Sequence, residues 1–208
     1  MNILAALNWR YAVKSFSDRQ VGQQQLDDLL NATRLSASSY GLQPYKILVV
    51  SAKKRREQLL PYSFGQEKIV HCSHLIILAA EKKIGDQTVD RFIAKYAQIN
   101  NKPVEDLAKF SDHMKSALAA KSLLQKQEWA HQQAYIALGT LLTSAASMQI
   151  DTCPMTGFES KGYDQVLGLD QLGLTSSVIC PIGYRDQEDP QATLTKVRFD
   201  FNELVLEL

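Results

Sequence analysis

The feature that most constrains the fold is one long apolar segment, EWAHQQAYIALGTLLTSAASMQI, which spans residues 128–150. Its apolar residues recur at helical spacing, and most are small enough to let a neighbouring element approach closely. These residues are Trp129, Ala130, Ala134, Ile136, Ala137, Leu141 and Ala145. We predict that this segment is the central helix of the core.

Three short runs rich in aliphatic and β-branched residues predict buried strands. They are KILVVS at residues 46–51, SHLIILAA at residues 73–80 and SSVICPIGY at residues 176–184. Further helices are predicted after Asn2 as N-cap, within residues 21–41, from residue 53 to Pro61, and at residues 162–169. Residues 85–125 are polar and mostly helical, which indicates an excursion from the core. Strands and helices do not alternate regularly, so the pattern predicts a single α+β domain over residues 1–208.

The last eight residues, FNELVLEL, alternate apolar and polar side chains. Alternation of this kind has the period of a half-buried strand. A strand at a chain terminus often completes the sheet edge of another chain.

Composition excludes several classes of protein. The 23 Lys and Arg residues balance 22 Asp and Glu residues, so no strong field exists to hold a nucleic acid. Three widely spaced cysteines, Cys72, Cys153 and Cys180, fit neither a disulfide framework nor a zinc ribbon. Neither a signal peptide nor a membrane-spanning run is visible, so we expect a soluble, cytoplasmic protein with no membrane partner.

The common catalytic motifs are absent, and the remaining polar clusters admit ordinary interpretations. HCSH, at residues 71–74, leads directly into a predicted strand and is a weak metal-site candidate. Cys153 is a weak candidate nucleophile because no base is visible beside it. KKRRE, at residues 53–57, is interpreted as a solvated helix face. Dispersed cations remain, namely Arg10, Lys14, Lys68, Lys196 and Arg198, and spacing alone favours reading them as surface charges.

Four segments, taken in order, resemble one family. They are RYAVKSF, RLSASSYGLQPYKILVV, CPMTGF and TKVRF. Together they resemble the FMN-dependent nitroreductases, in particular the oxygen-insensitive NAD(P)H nitroreductase and dihydropteridine reductase-like branch. The resemblance implies a nitroreductase-like α+β fold, with a central, mainly antiparallel sheet flanked by helices. It also implies a homodimer with two FMN sites at the subunit interface, in which the C-terminal strand is exchanged with the partner subunit.

The resemblance assigns the cations to one cofactor. Arg10, Lys196 and Arg198 match positions that hold the FMN phosphate, for which the planar fork of arginine is suited. Lys14 matches a lysine beside the pyrimidine edge of the flavin, where Lys68 helps. A fixed cation there stabilises the negative charge of reduced flavin.

The remaining site residues follow from the same matches. Ser38, Ser39 and Gln43 match a loop that reaches FMN from one subunit of the dimer. The loop of Pro154, Met155, Thr156 and Gly157 matches the segment that lies against the ring. Tyr11, Ala12 and Thr156 depart from the family pattern, and either Gln66 or Gly65 stands in place of the asparagine expected near Lys68.

The implied function is an FMN-dependent NAD(P)H oxidoreductase that reduces nitroaromatic compounds, quinones or related small-molecule acceptors by two-electron ping-pong transfer. The excursion at residues 85–125 matches the region that lines the pocket mouth. Two alternatives stay open. One is another flavin reaction, namely flavin destruction, dehalogenation, or enoate or dihydropteridine reduction. The other is a non-enzymatic dimeric binding module that has lost the flavin.

Overall fold

A four-stranded antiparallel sheet forms the centre of the computed structural model, which describes residues 2–208. The strand order is β1-β2-β4-β3. The strands are β1 Tyr45–Val50, β2 His74–Glu81, β3 Asp151–Thr152 and β4 Leu174–Gly183. The three predicted strands are confirmed, and β3 lies in a segment predicted to be a loop. Two residues form β3 because they pair with Ile182 and Gly183 at the end of β4.

Nine α-helices surround this sheet within residues 2–208. They are α1 Ile3–Trp9, α2 Gln23–Arg34, α3 Lys53–Leu59, α4 Lys68–His71, α5 Asp86–Asn100, α6 Ala108–Ala119, α7 Leu123–Ser147, α8 Ser160–Leu167 and α9 Phe201–Leu204. Asn2 caps α1 as predicted, since its Oδ1 accepts a hydrogen bond from the Ala5 N–H at 2.8 Å. No helix in this part of the chain is both long and apolar enough to cross a membrane.

Helix α7 is the central helix of the core, as predicted. Ala130, Ala134, Ala137, Leu141 and Ala145 are fully buried, and α7 packs against both α2 and β2. Small side chains on this stripe allow the close approach that a fully buried face requires. Ile136 was predicted to belong to the same apolar stripe, but it lies on the opposite face of α7 and is 47% exposed.

Helices α5 and α6 form a separate layer at the end of the sheet. Their apolar stripes meet in one cluster that includes Val89, Ile93, Met114 and Leu118, together with Trp129 of α7. This cluster attaches the region around residues 85–125 to the first turns of the central helix.

Two expectations about charged and terminal segments are wrong. Residues 201–204 form α9 rather than a strand, and residues 205–208 pair with no strand of this chain. Asp200 and Glu203 explain the helix, because they form a reciprocal capping box at its first turn. Arg56, in the KKRRE segment, was expected to face solvent. It is instead buried, with 5% of its surface exposed, and it donates hydrogen bonds to backbone carbonyls.

Candidate functional site

The chain leaves helix α1 at Trp9 and continues extended alongside β3. Ala12 forms a parallel bridge with Thr152, and the Val13 N–H donates to the Thr152 carbonyl at 3.3 Å. Arg10 is the C-cap of α1 and has extended backbone angles. Arg10 and Lys14 therefore do not lie on one helix face. They lie instead along one extended strand-like segment.

A cavity of about 510 Å³, called the basic cavity below, lies between this segment and residues 191–198. The structure thereby brings together the two ends of the chain. Six of the predicted cofactor-binding residues line the cavity, namely Arg10, Tyr11, Ala12, Lys14, Lys196 and Arg198. Trp9 and Arg185 also line it and were not predicted from the sequence.

The cavity is rich in positive charge, and of its cations Arg185 is paired with a carboxylate, that of Asp151. Within residues 2–208, no carboxylate oxygen lies within 4.0 Å of a side-chain nitrogen of any of the five predicted cations. Burial, and then the charge of Arg198, lower the pKa of Arg10. Burial and the charges of Arg10 and Arg198 likewise lower the pKa of Lys196. Each of these cations would be stabilised by an anion in the cavity.

Arg10 and Lys196 differ in how their donors are used. The Arg10 Nε is buried and has no hydrogen-bond partner in the described chain. Lys196 Nζ donates to the carbonyl of Leu7 at 2.9 Å and to that of Arg10, both at the C-terminal end of α1. An unpartnered buried guanidinium nitrogen is costly unless an acceptor reaches it. A phosphate group, which offers several charged oxygen acceptors, fits this donor set.

Lys68 does not line this cavity, but its charge acts on the neighbouring Cys153 thiol. Burial raises the pKa of the Cys153 thiol, whereas the positive charges of Lys68, Lys14 and Arg10 act on it in the opposite direction. Lys68 is the first residue of α4, and Cys153 directly follows β3. The thiol is 2% exposed, so it is a poor nucleophile at neutral pH.

The loop at residues 154–157 is held against β4 at one end and against Gln66 at the other. Met155 exchanges two backbone hydrogen bonds with Ile179, at 2.8 and 3.2 Å. Gln66 Nε2 donates to the Gly157 carbonyl at 2.9 Å. The N–H groups of Thr156 and Gly157, both exposed residues, donate to no acceptor within residues 2–208. Two backbone donors thus remain available to a ligand.

The loop containing Ser38, Ser39 and Gln43 lies elsewhere. Ser38 Oγ accepts from the Gln43 N–H at 3.1 Å within the loop, and Gln43 Nε2 donates to the Arg34 carbonyl at the end of α2 at 2.8 Å. None of these three residues lines the basic cavity of this chain. Tyr40 and Gln43 nevertheless have positive φ values of 55° and 43°, a strained conformation for residues other than glycine.

A larger groove, of about 1030 Å³, lies beside this loop and along β1. Its floor is apolar, with Leu30, Leu42 and Ile47 among the lining residues, and its basic residues are Arg34, Lys46, Arg91 and Lys95. Strand β1 is at the edge of the sheet, so one row of its backbone groups has no strand partner in this chain.

Two buried carboxylates near the basic cavity were not predicted from the sequence. Asp189 is 3% exposed and accepts hydrogen bonds from the N–H groups of Lys14 and Ser15. Asp151 is also 3% exposed and accepts from Arg185. In the sequence, Asp189 carries only a turn signal, because it precedes Pro190. Neither aspartate belongs to a segment with readable periodicity.

A family model described as "Nitroreductase family" matches residues 7–184. The chain belongs to the nitroreductase family. The matched region begins within α1, includes the whole sheet, and ends before the segment that carries Lys196 and Arg198.

Similar proteins agree with this membership. One relative, from Staphylococcus epidermidis and named "Putative NAD(P)H nitroreductase", is 33% identical over 216 residues, covering 98% of this chain and 95% of the relative. The crystal structure of the Bacillus subtilis protein YdfN superposes with a TM-score of 0.87 at 21% identity, covering 98% of this chain and 97% of that one. An Exiguobacterium sibiricum protein solved in complex with FMN gives a TM-score of 0.86 at 15% identity, covering 100% and 98%. The two structures confirm the nitroreductase-like fold.

Proposed function

We propose that the protein is an FMN-dependent NAD(P)H oxidoreductase that reduces nitroaromatic compounds, quinones or related acceptors by a ping-pong mechanism. One observation carries the proposal. Arg10, Lys196 and Arg198 converge on a cavity in which they have no carboxylate partner and the Arg10 Nε is buried without an acceptor. The FMN complex of a protein with the same fold and the name of the staphylococcal relative support this choice of ligand.

Arg10, Lys196 and Arg198 would bind the phosphate of FMN. Arg10 would direct its buried Nε to a phosphate oxygen, and Arg198 would supply a second guanidinium from the exposed side. Lys196 also holds the end of α1 through the Leu7 carbonyl, and would add its positive charge beside the phosphate. Each contact with the phosphate would neutralise a cation, or satisfy a hydrogen-bond donor, that has no acidic partner in the described part of the chain.

Lys14 and Lys68 would lie at the ring end of the cofactor. The charges of both act on the thiol of Cys153, the residue directly before the loop at residues 154–157, which supports this assignment. The free N–H groups of Thr156 and Gly157 would donate to polar atoms at the ring edge, and Gln66 would hold the loop in place. The Thr156 departure from the family pattern matters little if the contact is through the backbone.

Bound FMN would supply the two-electron transfer from NADH or NADPH to the acceptor. The residues of the chain would bind the cofactor, hold positive charge where reduction adds negative charge, and leave one ring face open to each substrate in turn. No side-chain acid–base pair is required.

A homodimer would complete the site. Ser38, Ser39 and Gln43 do not reach the cavity of their own chain, so they would approach the FMN held by the partner. The C-terminal tail, including Phe201, Leu204 and Leu206, is strongly exposed in one chain. In a dimer it would lie in the basic, apolar-floored groove along β1 of the other subunit, where Glu203 and Glu207 meet cations.

Flavin content tests the cofactor. The purified protein, incubated with FMN and desalted, should be yellow, with a flavin absorbance band at one FMN per chain. Arg198→Ala should lower FMN affinity by about tenfold or more, whereas Arg55→Ala, at an exposed position of helix α3, should not. A wild-type protein that takes up no FMN would contradict the proposal.

Turnover tests the reaction. Oxidation of NADPH or NADH by the FMN-loaded protein should depend on menadione or nitrofurazone and follow ping-pong kinetics. Bound FMN without turnover with either nicotinamide would favour another flavin reaction.

Truncation after Asp200 tests the dimer. Removing residues 201–208 should shift the sedimentation profile from dimer towards monomer. A truncated chain that remains as dimeric as the full chain would contradict the role of the tail.

A further inference from the structure

The two walls of the basic cavity come from opposite ends of the chain, and one buried carboxylate ties them together. Asp189 Oδ2 accepts hydrogen bonds from the N–H groups of Lys14 at 2.7 Å and Ser15 at 2.9 Å. Its other oxygen, Oδ1, accepts from the N–H of Gln191 at 2.8 Å. Gln191 begins the cavity wall that continues to Lys196 and Arg198.

We propose that Asp189 is a positioning residue that sets the distance between the ring-end cation Lys14 and the phosphate-end cations Lys196 and Arg198. This inference rests on the proposed function, because it takes FMN as the ligand that spans these groups. Asp189 is not among the residues that line the cavity. It would act on FMN only through the segments that it holds.

The chemistry of a carboxylate suits this task better than that of any other side chain. Both of its oxygens accept hydrogen bonds, so it can serve N–H donors on two sides at once. Asp189 is 3% exposed, and three backbone donors offset the cost of burying it. An amide of the same shape accepts on one side only, and its NH₂ group would meet either the Lys14 and Ser15 donors or the Gln191 donor.

The backbone of the same turn makes the connection rigid. The Asp186 N–H donates to the Ser15 carbonyl at 2.9 Å, and the Ala192 N–H donates to the Asp189 carbonyl at 3.0 Å. Residues 186–192 thus form a compact turn attached to the Lys14 segment. Without the Asp189 carboxylate, its hydrogen bonds to the Lys14 segment and to Gln191 would be lost, so the residues from Gln191 to Lys196 would be held less firmly.

The test is Asp189→Asn in the full chain, with two measurements on bound FMN. The FMN dissociation constant, from flavin fluorescence, should rise by roughly tenfold or more. The two-electron midpoint potential, measured at saturating FMN, should become more negative, because Lys14 would no longer be held beside the reduced ring. A purely structural role would lower the melting temperature but leave this potential unchanged.

Asp186→Asn is the matched control. Its carboxylate lies in the same turn but accepts only from the N–H of Glu188, at 2.8 Å, so both flavin measurements should equal those of the wild type. If Asp189→Asn does not fold, Asp189→Glu, which keeps the charge but displaces the oxygens, takes its place with the same expectations.

The outcomes separate this inference from the proposed function. A wild-type chain that binds no FMN overturns both. A wild-type chain that binds FMN, with either the dissociation constant or the potential unchanged in the Asp189 variant, overturns the inference alone. A double variant with Lys14→Met adds a check, because the potential shifts of the two substitutions should not add if they act through one group.

Discussion

The buried carboxylate of Asp151 accepts three hydrogen bonds from Arg185. The Arg185 backbone N–H donates to Oδ2 at 2.8 Å, and its Nε and Nη2 donate to Oδ1 at 2.9 and 2.6 Å. The guanidinium carbon also lies 4.2 Å from the ring centre of Trp9 and 4.5 Å from that of Tyr11. This pair joins the start of β3 to the segment after β4. Its guanidinium also packs against the rings of Trp9 and Tyr11, which line the basic cavity.

Removing the acid of this pair should destabilise the fold. Asp151→Ala leaves the Arg185 donors without their acceptor in a largely buried place, at a cost of about 2 kcal/mol or more in unfolding free energy. The measurement is urea denaturation. Asp170→Ala is the control, because Asp170 pairs with Lys82 at the surface and should change the free energy by under about 0.5 kcal/mol. Equal losses in the two variants would contradict the structural role of the Asp151 pair.

Arg56 should be worth more to stability than its neighbour Arg55. Its guanidinium donates to the carbonyls of Val50, Ser51, Val70, Cys72 and Ser73. Arg56→Met would remove this donor from carbonyls that are mostly buried and should cost about 3 kcal/mol. The unfolding free energy of Arg55→Met, at an exposed position of the same helix, should change by under about 0.5 kcal/mol. Similar effects at both positions would show that the Arg56 bonds contribute little.

Gly162 is required by close packing in helix α8. A Cβ atom added there would lie 2.0 Å from Tyr62 Cδ1 and 2.3 Å from Tyr62 Cγ. Gly162→Ala should therefore lower the unfolding free energy by about 1–3 kcal/mol, despite the higher helix propensity of alanine. The same substitution should be nearly neutral in a Tyr62→Ala background, because the clashing ring is gone. A cost that persists in that background would point to a different cause.

Stability should fall between about pH 7.5 and about pH 5.5, because two histidines resist protonation in the folded state. Burial, together with the charge of Arg56, lowers the pKa of His74, and burial lowers the pKa of His131. The unfolded chain protonates these rings at a higher pH than the folded chain does, so it binds more protons in this range. Their contribution is complete above the unfolded pKa of about 6.5 and is lost as the pH falls below it.

Urea midpoints across this pH range provide the measurement. His74→Gln and His131→Gln should each make the decline shallower, with the double variant the least dependent on pH. A wild-type midpoint that does not decline would contradict the direction of both pKa shifts.

Much of the fold could be predicted from local pattern. The small-residue stripe of α7 and the aliphatic runs of β1, β2 and β4 are long and regular enough to identify themselves. The failures occur where local signals compete. The tail alternates like a strand, yet the Asp200 and Glu203 capping box favours a helix turn in this chain. Arg56 carries the charge pattern of a surface helix and is nevertheless buried.

The candidate site divides in the same way. The motif order predicted the cations at Arg10, Lys14, Lys196 and Arg198, and the structure places all four on one cavity. The groups that hold them there were not predicted. Asp189 lies 175 residues from Lys14 in the chain, and no local rule relates two positions at such a separation.

The sequence by itself determined most of the helices and the three long strands, because hydrophobic periodicity, capping residues and turn residues act over a few neighbours. It also determined the family, through four short motifs in a fixed order. Tertiary structure alone decided that Arg10 has a buried, unpartnered Nε, that Asp151 holds Arg185, and that Asp189 joins the two ends of the chain. The physical reason is that burial and hydrogen bonding between distant segments depend on how the whole chain packs, whereas periodicity does not.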